Sequence, residues 1–141
     1  CWIYPTTSSG DRTIICAAYS WGAGANYEIE LRSGLLFVQL GDSITMTSGT
    51  TSIPANTWTH IALVRSGLTS TTFYVNGVSV ATSASNWTAN EDCPLTIGCF
   101  NTNGGSLSNY WLGYIDDLRI TKGYARYVAN FTPPTQAFPI Y

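Results

Sequence analysis

Charge is what this chain has least of. Only 10% of its 141 residues are Asp, Glu, Lys or Arg, against about a quarter in an ordinary soluble domain. The six basic residues, Arg12, Arg32, Arg65, Arg119, Lys122 and Arg126, are scattered, with no two adjacent. Nucleic-acid binding needs clustered cations to displace counterions, so no nucleic-acid partner is expected. No apolar run approaches the roughly 20 residues of a membrane-spanning helix, so no membrane partner is expected either. Histidine occurs once, at His60, and any Ser-His-Asp or Cys-His mechanism would have to use it. Neither a Gly-x-Ser-x-Gly elbow nor a His-Glu-x-x-His pair is present. The four cysteines, Cys1, Cys16, Cys93 and Cys99, make no CxxC pair and no zinc spacing. They read as reduced, buried thiols, with Cys93–Cys99 the disulfide to test first.

Ser, Thr, Asn and Gly fill the surface that charge leaves open, while 45% hydrophobic residues are enough for one sizeable core. One domain over residues 1–141 is expected. Short segments of alternating polarity recur between Gly, Ser, Asn and Pro signals, the pattern of an all-β sandwich. The expected strands are Trp2–Tyr4, Arg12–Ser20, Tyr27–Arg32, Leu35–Leu40, Ser43–Thr47, Trp58–Arg65, Thr72–Asn76, Val78–Thr82, Leu95–Phe100 and Leu112–Thr121. Asn76-Gly77 is the strongest hairpin signal, because both central residues of a type I′ turn need positive φ. After a break at Lys122-Gly123, the stretch Gly123–Val128 has room for a short helical turn, which Pro133-Pro134 forbids from continuing.

Four segments are together more specific than this pattern: Trp58-x-His60, Tyr74-Val75-Asn76-Gly77, Leu95-Thr96-Ile97-Gly98 and Gly113-x-Ile115-Asp116-Asp117-Leu118-Arg119-Ile120. With them the chain, from Trp2 almost to its end, resembles the laminin-G-like domain of the concanavalin A-like lectin/glucanase superfamily, in the variant of bacteriophage tail and virion proteins. The resemblance implies a two-sheet antiparallel jelly roll and a binding or structural module rather than a catalyst. It also implies a strand upstream of Cys1, so the chain, which opens without Met or a signal peptide, reads as an excerpt of a longer protein.

Glu28 and Glu30 alternate with Ile29 and Leu31, so both carboxylates share one strand face at a spacing some sandwich glycosidases use for acid and nucleophile. Arg32 takes the next place on that face and no third carboxylate follows, so a solvated or partner-facing strip is favoured over a hydrolase. His60 shares a face with Trp58, Ala62 and Val64, company that favours packing. Alternation through Leu112–Thr121 sets Ile115, Asp117 and Arg119 on one face, and the resemblance implies that Asp116-Asp117 is a framework element.

Trp21, Trp87, Tyr110 and Trp111 lie in or beside loops, where rings either cap the core or stack on sugars. Trp21, Asn86, Trp87 and Asp92 are the candidates for a glycan site. No catalytic residue is assigned and no cofactor is expected. Calcium is the one metal to consider, since laminin-G-like domains often carry it at a loop rim, with Asp42, Glu91 and Asp92 as weak candidate ligands. The sequence therefore points to a non-catalytic adhesion module of a phage virion protein (tail fibre, appendage or capsid decoration). Its expected partners are host-surface glycans, other virion proteins, or both, within a homo-oligomeric assembly. A purely structural virion module is the alternative, a glucanase-like hydrolase is less favoured, and a secreted or bacterial-surface setting is the other location.

Overall fold

Alternating polarity resolves into antiparallel pairing throughout. The structure, a computed structural model, describes residues 1–17, 27–41, 44–84, 86, 94–101 and 105–138. Among them run β1 (Trp2–Pro5), β2 (Asp11–Ala17), β3 (Tyr27–Arg32), β4 (Leu35–Leu40), β5 (Ile44–Ser52), β6 (Thr59–Ser66), β7 (Ser70–Val75), β8 (Val78–Ser83), β9 (Leu95–Ile97), β10 (Phe100–Asn101), β11 (Leu107–Ser108) and β12 (Gly113–Asp116). Two five-stranded sheets, ordered β12-β1-β6-β7-β8 and β5-β4-β3-β2-β9, are accompanied by the small pair β10-β11. No helix among the described residues is long and apolar enough to cross a membrane.

One core draws on both large sheets. Ile3, Ile61, Phe73 and Val75 come from the first; Ile14, Ile15, Ile29, Leu31, Leu36, Val38, Leu40 and Met46 come from the second. The arrangement is that of a β-sandwich, with period two placing every second residue between the layers. A bulge in β2 modifies that count. Thr13 pairs with Glu30 and Ile15 with Ile29, leaving Ile14 as the extra residue, and both isoleucines are buried in the core.

Turn chemistry accounts for the hairpins. Ser33-Gly34 and Asn76-Gly77 all have positive φ, as tight turns that match strand twist require. Gly77 has a second constraint, because a Cβ there would overlap the Phe131 carbonyl.

Three expectations are corrected. Gly123–Val128 forms no helical turn: Gly123 sits at φ +84, and Tyr124 and Val128 are exposed, so a short helix would have no apolar face to bury. The last strand stops at Asp116 instead of Thr121, because Asp117 turns to φ +47 with its N–H on Asp116 Oδ1 at 2.8 Å. The expected strand Leu95–Phe100 divides into β9 and β10 around Gly98, at φ +76.

Beyond β12 the chain crosses the outer face of the first sheet as an extended strap. Phe131 N–H donates to the Gly77 carbonyl at 2.9 Å, and Asn130 Oδ1 accepts from Ser79 N–H at 2.9 Å. The Phe131 ring stacks on Tyr127 at 3.6 Å and meets His60 and Tyr74 edge-on. A two-turn helix would withdraw these contacts from the sheet.

Candidate functional site

Glu28 and Glu30 are buried, at 2% and 0% exposure, which overturns the expectation of a solvated strip. Both do point away from the core of the sandwich, as alternation with Ile29 and Leu31 demands. That outer face of the sheet is itself covered: Cys16, opposite Glu28 across β2 and β3, is buried with Phe100 of β10 in a second small cluster.

The two acids have different partners. Glu28 Oε1 accepts from the Thr13 hydroxyl at 3.2 Å. Glu30 Oε1 takes both Nε, at 2.8 Å, and Nη2 of Arg32, whose guanidinium lies 3.6 Å over the Phe37 ring. Glu30 Oε2 is buried without a hydrogen-bond partner. Burial, reinforced by the Glu30 charge, pushes the Glu28 carboxyl up to about 7. Burial also raises Glu30, with the hydrogen bond and charge of Arg32 pulling the other way. A raised acid beside a second carboxylate is the electronic arrangement of a glycosidase. Here Glu30 is clamped by Arg32, and neither acid is exposed to a polysaccharide in this conformation.

His60 is also sealed, but on the other sheet. Its ring meets Trp2 at 5.2 Å and Phe131 at 5.6 Å, both edge-on. Its N–H donates to Asn76 Oδ1 and its carbonyl accepts from Asn76 N–H, so it braces the hairpin. Nδ1 is buried with no partner. Burial, aided by nearby positive charge, lowers the imidazole to about 4. With no Asp or Glu hydrogen-bonded to it among the described contacts, His60 serves packing.

Of the expected glycan-site residues, Asn86 is exposed and its Oδ1 accepts from Arg65 Nη2 at 3.3 Å. Trp21, Trp87 and Asp92 lie outside the described residues, as do the calcium candidates Asp42, Glu91 and Asp92. Among the described residues no group of three or more His, Cys, Asp or Glu is arranged to hold a metal. Cys99 carries a free thiol, so it is not paired with Cys93, which itself lies outside the described residues. Trp111 packs against the core as a capping ring, while Tyr110 is exposed.

One surface feature escaped the sequence reading. Tyr4 of β1 stands opposite Tyr114 of β12, and Trp58 lies just ahead of β6 on the same outer face. The three rings form a compact triangular cluster on that face: Tyr4–Trp58 at 5.4 Å, Tyr4–Tyr114 at 5.7 Å and Trp58–Tyr114 at 6.5 Å. Trp58 is 43% and Tyr114 64% exposed, with Tyr4 half-buried against both. The signal lay in three aromatic residues at outward positions, but the pairing of β1 with β12 is needed to bring them together.

Comparison with curated proteins gives no match. The family model of the concanavalin A-like lectin/glucanases superfamily, in its laminin G form, matches residues 1–126. That span takes in both large sheets, the buried acids and the aromatic cluster, and the chain belongs to the concanavalin A-like lectin/glucanase superfamily.

Proposed function

We propose that this chain is a non-catalytic carbohydrate-binding module that works by adhesion. Membership of the superfamily suggests a carbohydrate-binding or adhesion role. The observation that carries the non-catalytic reading is the sealing of Glu28 and Glu30, with Glu30 held by Arg32. Acid catalysis at a glycosidic oxygen needs a carboxyl within hydrogen-bond reach of substrate, and neither acid offers one. The loop residues Trp21, Asn86, Trp87 and Asp92 are candidate contacts, with rings to stack on sugar faces and amide or carboxylate groups to read hydroxyls.

The setting we infer is the surface of a phage particle, where the domain would meet host glycans. The resemblance to phage tail domains and the sparse charge support it. The same sparse charge favours the alternative of a structural virion module, since uncharged surface packs readily against neighbouring subunits.

The test is binding of the isolated chain to an array of bacterial and plant glycans, with reducing-end release measured in parallel on the polysaccharides it binds. Binding without release is expected. Release that disappears in Glu28→Gln would make the chain a hydrolase. Failure to bind any glycan, together with stable association to a neighbouring virion subunit, would make it structural.

A further inference from the structure

We infer that the cluster of Trp58, Tyr4 and Tyr114 is a binding platform for the flat C–H face of an uncharged pyranose. The inference rests on the carbohydrate-binding reading above and names a surface built from residues other than the loop candidates.

Three observations support it. First, the strap divides the outer face of this sheet. It covers His60 and Tyr74 with Phe131, yet leaves the neighbouring cluster open, so large rings that could have been sealed in the same way face solvent. Second, the three rings touch one another and make one continuous aromatic surface. Tyr4 is inclined by 57° and 58° to Trp58 and Tyr114, and these two more exposed rings are inclined to each other by only 39°. Aromatic faces carry negative quadrupolar charge and attract the polarised C–H bonds of a sugar ring.

Third, the rim is polar, and exposed Asp116, two residues beyond Tyr114 on the same face and opposite Trp2, adds an acid to it. Asn56 N–H is tied to the Pro5 carbonyl, and Thr6 N–H and Thr6 Oγ1 both reach the Leu112 carbonyl. This places Thr6, Asn56 and the exposed Thr57 beside the rings. Amides and hydroxyls are complementary to sugar hydroxyls. A sulfated or sialylated glycan would ask for a cation, and none of the three rings makes a cation contact among the described residues.

Area decides against a second copy of this chain as occupant. Aromatic side chains offer about 150–250 Å² each. At the observed exposures, the rings with half-exposed Leu112 present on the order of 300 Å². A stable protein interface needs about 800 Å² per partner, a little over half of it apolar, which is still more than this patch offers. One or two sugar rings fit the smaller figure.

The test is affinity electrophoresis of the full chain through gels containing β-glucan, xylan, galactan or mannan, with heparin as the polyanionic control. Trp58→Ala, Tyr114→Ala and Trp87→Ala are run beside the parent after circular dichroism has shown each to be folded. The expected result is retardation by at least one neutral polysaccharide, weakened at least roughly tenfold in Trp58→Ala and in Tyr114→Ala. Retardation of the parent that survives both substitutions overturns the platform and leaves the carbohydrate reading standing, the more so if Trp87→Ala abolishes it. Retardation by heparin alone overturns the uncharged ligand. Absence of retardation in every gel overturns both readings. Concentration-dependent dimers in light scattering that vanish in Trp58→Ala would assign the cluster to self-association instead.

Discussion

Two buried side chains set opposite demands on pH. Glu28 is raised from 4.5 to about 7, so the folded chain binds its proton more tightly than the unfolded chain does. Its favourable contribution is complete below pH 4.5 and is lost as pH climbs through 7, on the order of 3 kcal/mol in all. His60 is lowered from 6.5 to about 4, so its contribution is complete above 6.5 and is lost as pH falls through 4. Between 4.5 and 6.5 the two slopes oppose, and Glu30, also raised by burial, adds to the slope of Glu28. Each substitution should tip the balance towards the other group. The melting temperature of Glu28→Gln should gain on the parent's as pH rises across this window, because Gln keeps an acceptor for Thr13 without titrating. That of His60→Gln should lose ground to the parent's. If the melting temperature of Glu28→Gln follows the parent at every pH, Glu28 does not titrate as its burial demands. Gly77 is a residue whose size alone matters: alanine would meet the Phe131 carbonyl and force a positive φ on a side chain. Gly77→Ala should cost about 2 kcal/mol or more in urea unfolding.

The strap is the element that turns His60 into a core residue, since regular pairing leaves that side chain on the outside of its sheet. Phe131→Ala should uncover the imidazole and raise it from about 4 towards its ordinary 6.5, a shift that NMR titration of the single histidine reads directly. An unchanged histidine would mean that Trp2 and the sheet suffice to desolvate it. The same element marks where sequence stops being legible. The ranges Tyr27–Arg32 and Leu35–Leu40 come out as read, and so does the Asn76-Gly77 turn, because period two and turn chemistry are local signals. The strap was misread as helix because its conformation is set by Gly77, Ser79 and Tyr74, which lie some fifty positions away in sequence. The burial of Glu28 and Glu30 was missed for a related reason. Alternation shows that they share a face, but Phe100 of β10, which packs on Cys16 opposite Glu28, comes from far along the chain. The aromatic cluster likewise depends on β1 pairing with β12, strands more than a hundred positions apart.

At the scale of the whole molecule, scarce charge leaves little for salt to screen. Four of the arginines make contacts within the chain. Arg32 holds Glu30, Arg126 Nε donates to the Thr121 hydroxyl at 2.8 Å, Arg65 reaches the Leu68 carbonyl, and Arg119 lies over Phe138. Only the first of these is an ion pair, and its acid is wholly buried, where mobile ions do not reach. The rest join a cation to a neutral partner, and the net charge of −2 gives weak self-repulsion. Stability should therefore be almost independent of ionic strength: melts in 10 mM and 500 mM sodium chloride should agree to within about 2 °C, since exposed ion pairs contribute little in any case. The same reasoning extends to adhesion. A module that holds its ligand by ring stacking and neutral hydrogen bonds should keep its polysaccharide affinity over that salt range. One that relied on its few exposed cations would lose affinity steeply, as counterion release requires. A loss beyond about tenfold between the two salt concentrations would show that charge, sparse as it is, carries the contact, and would move the ligand class from neutral glycans to polyanions.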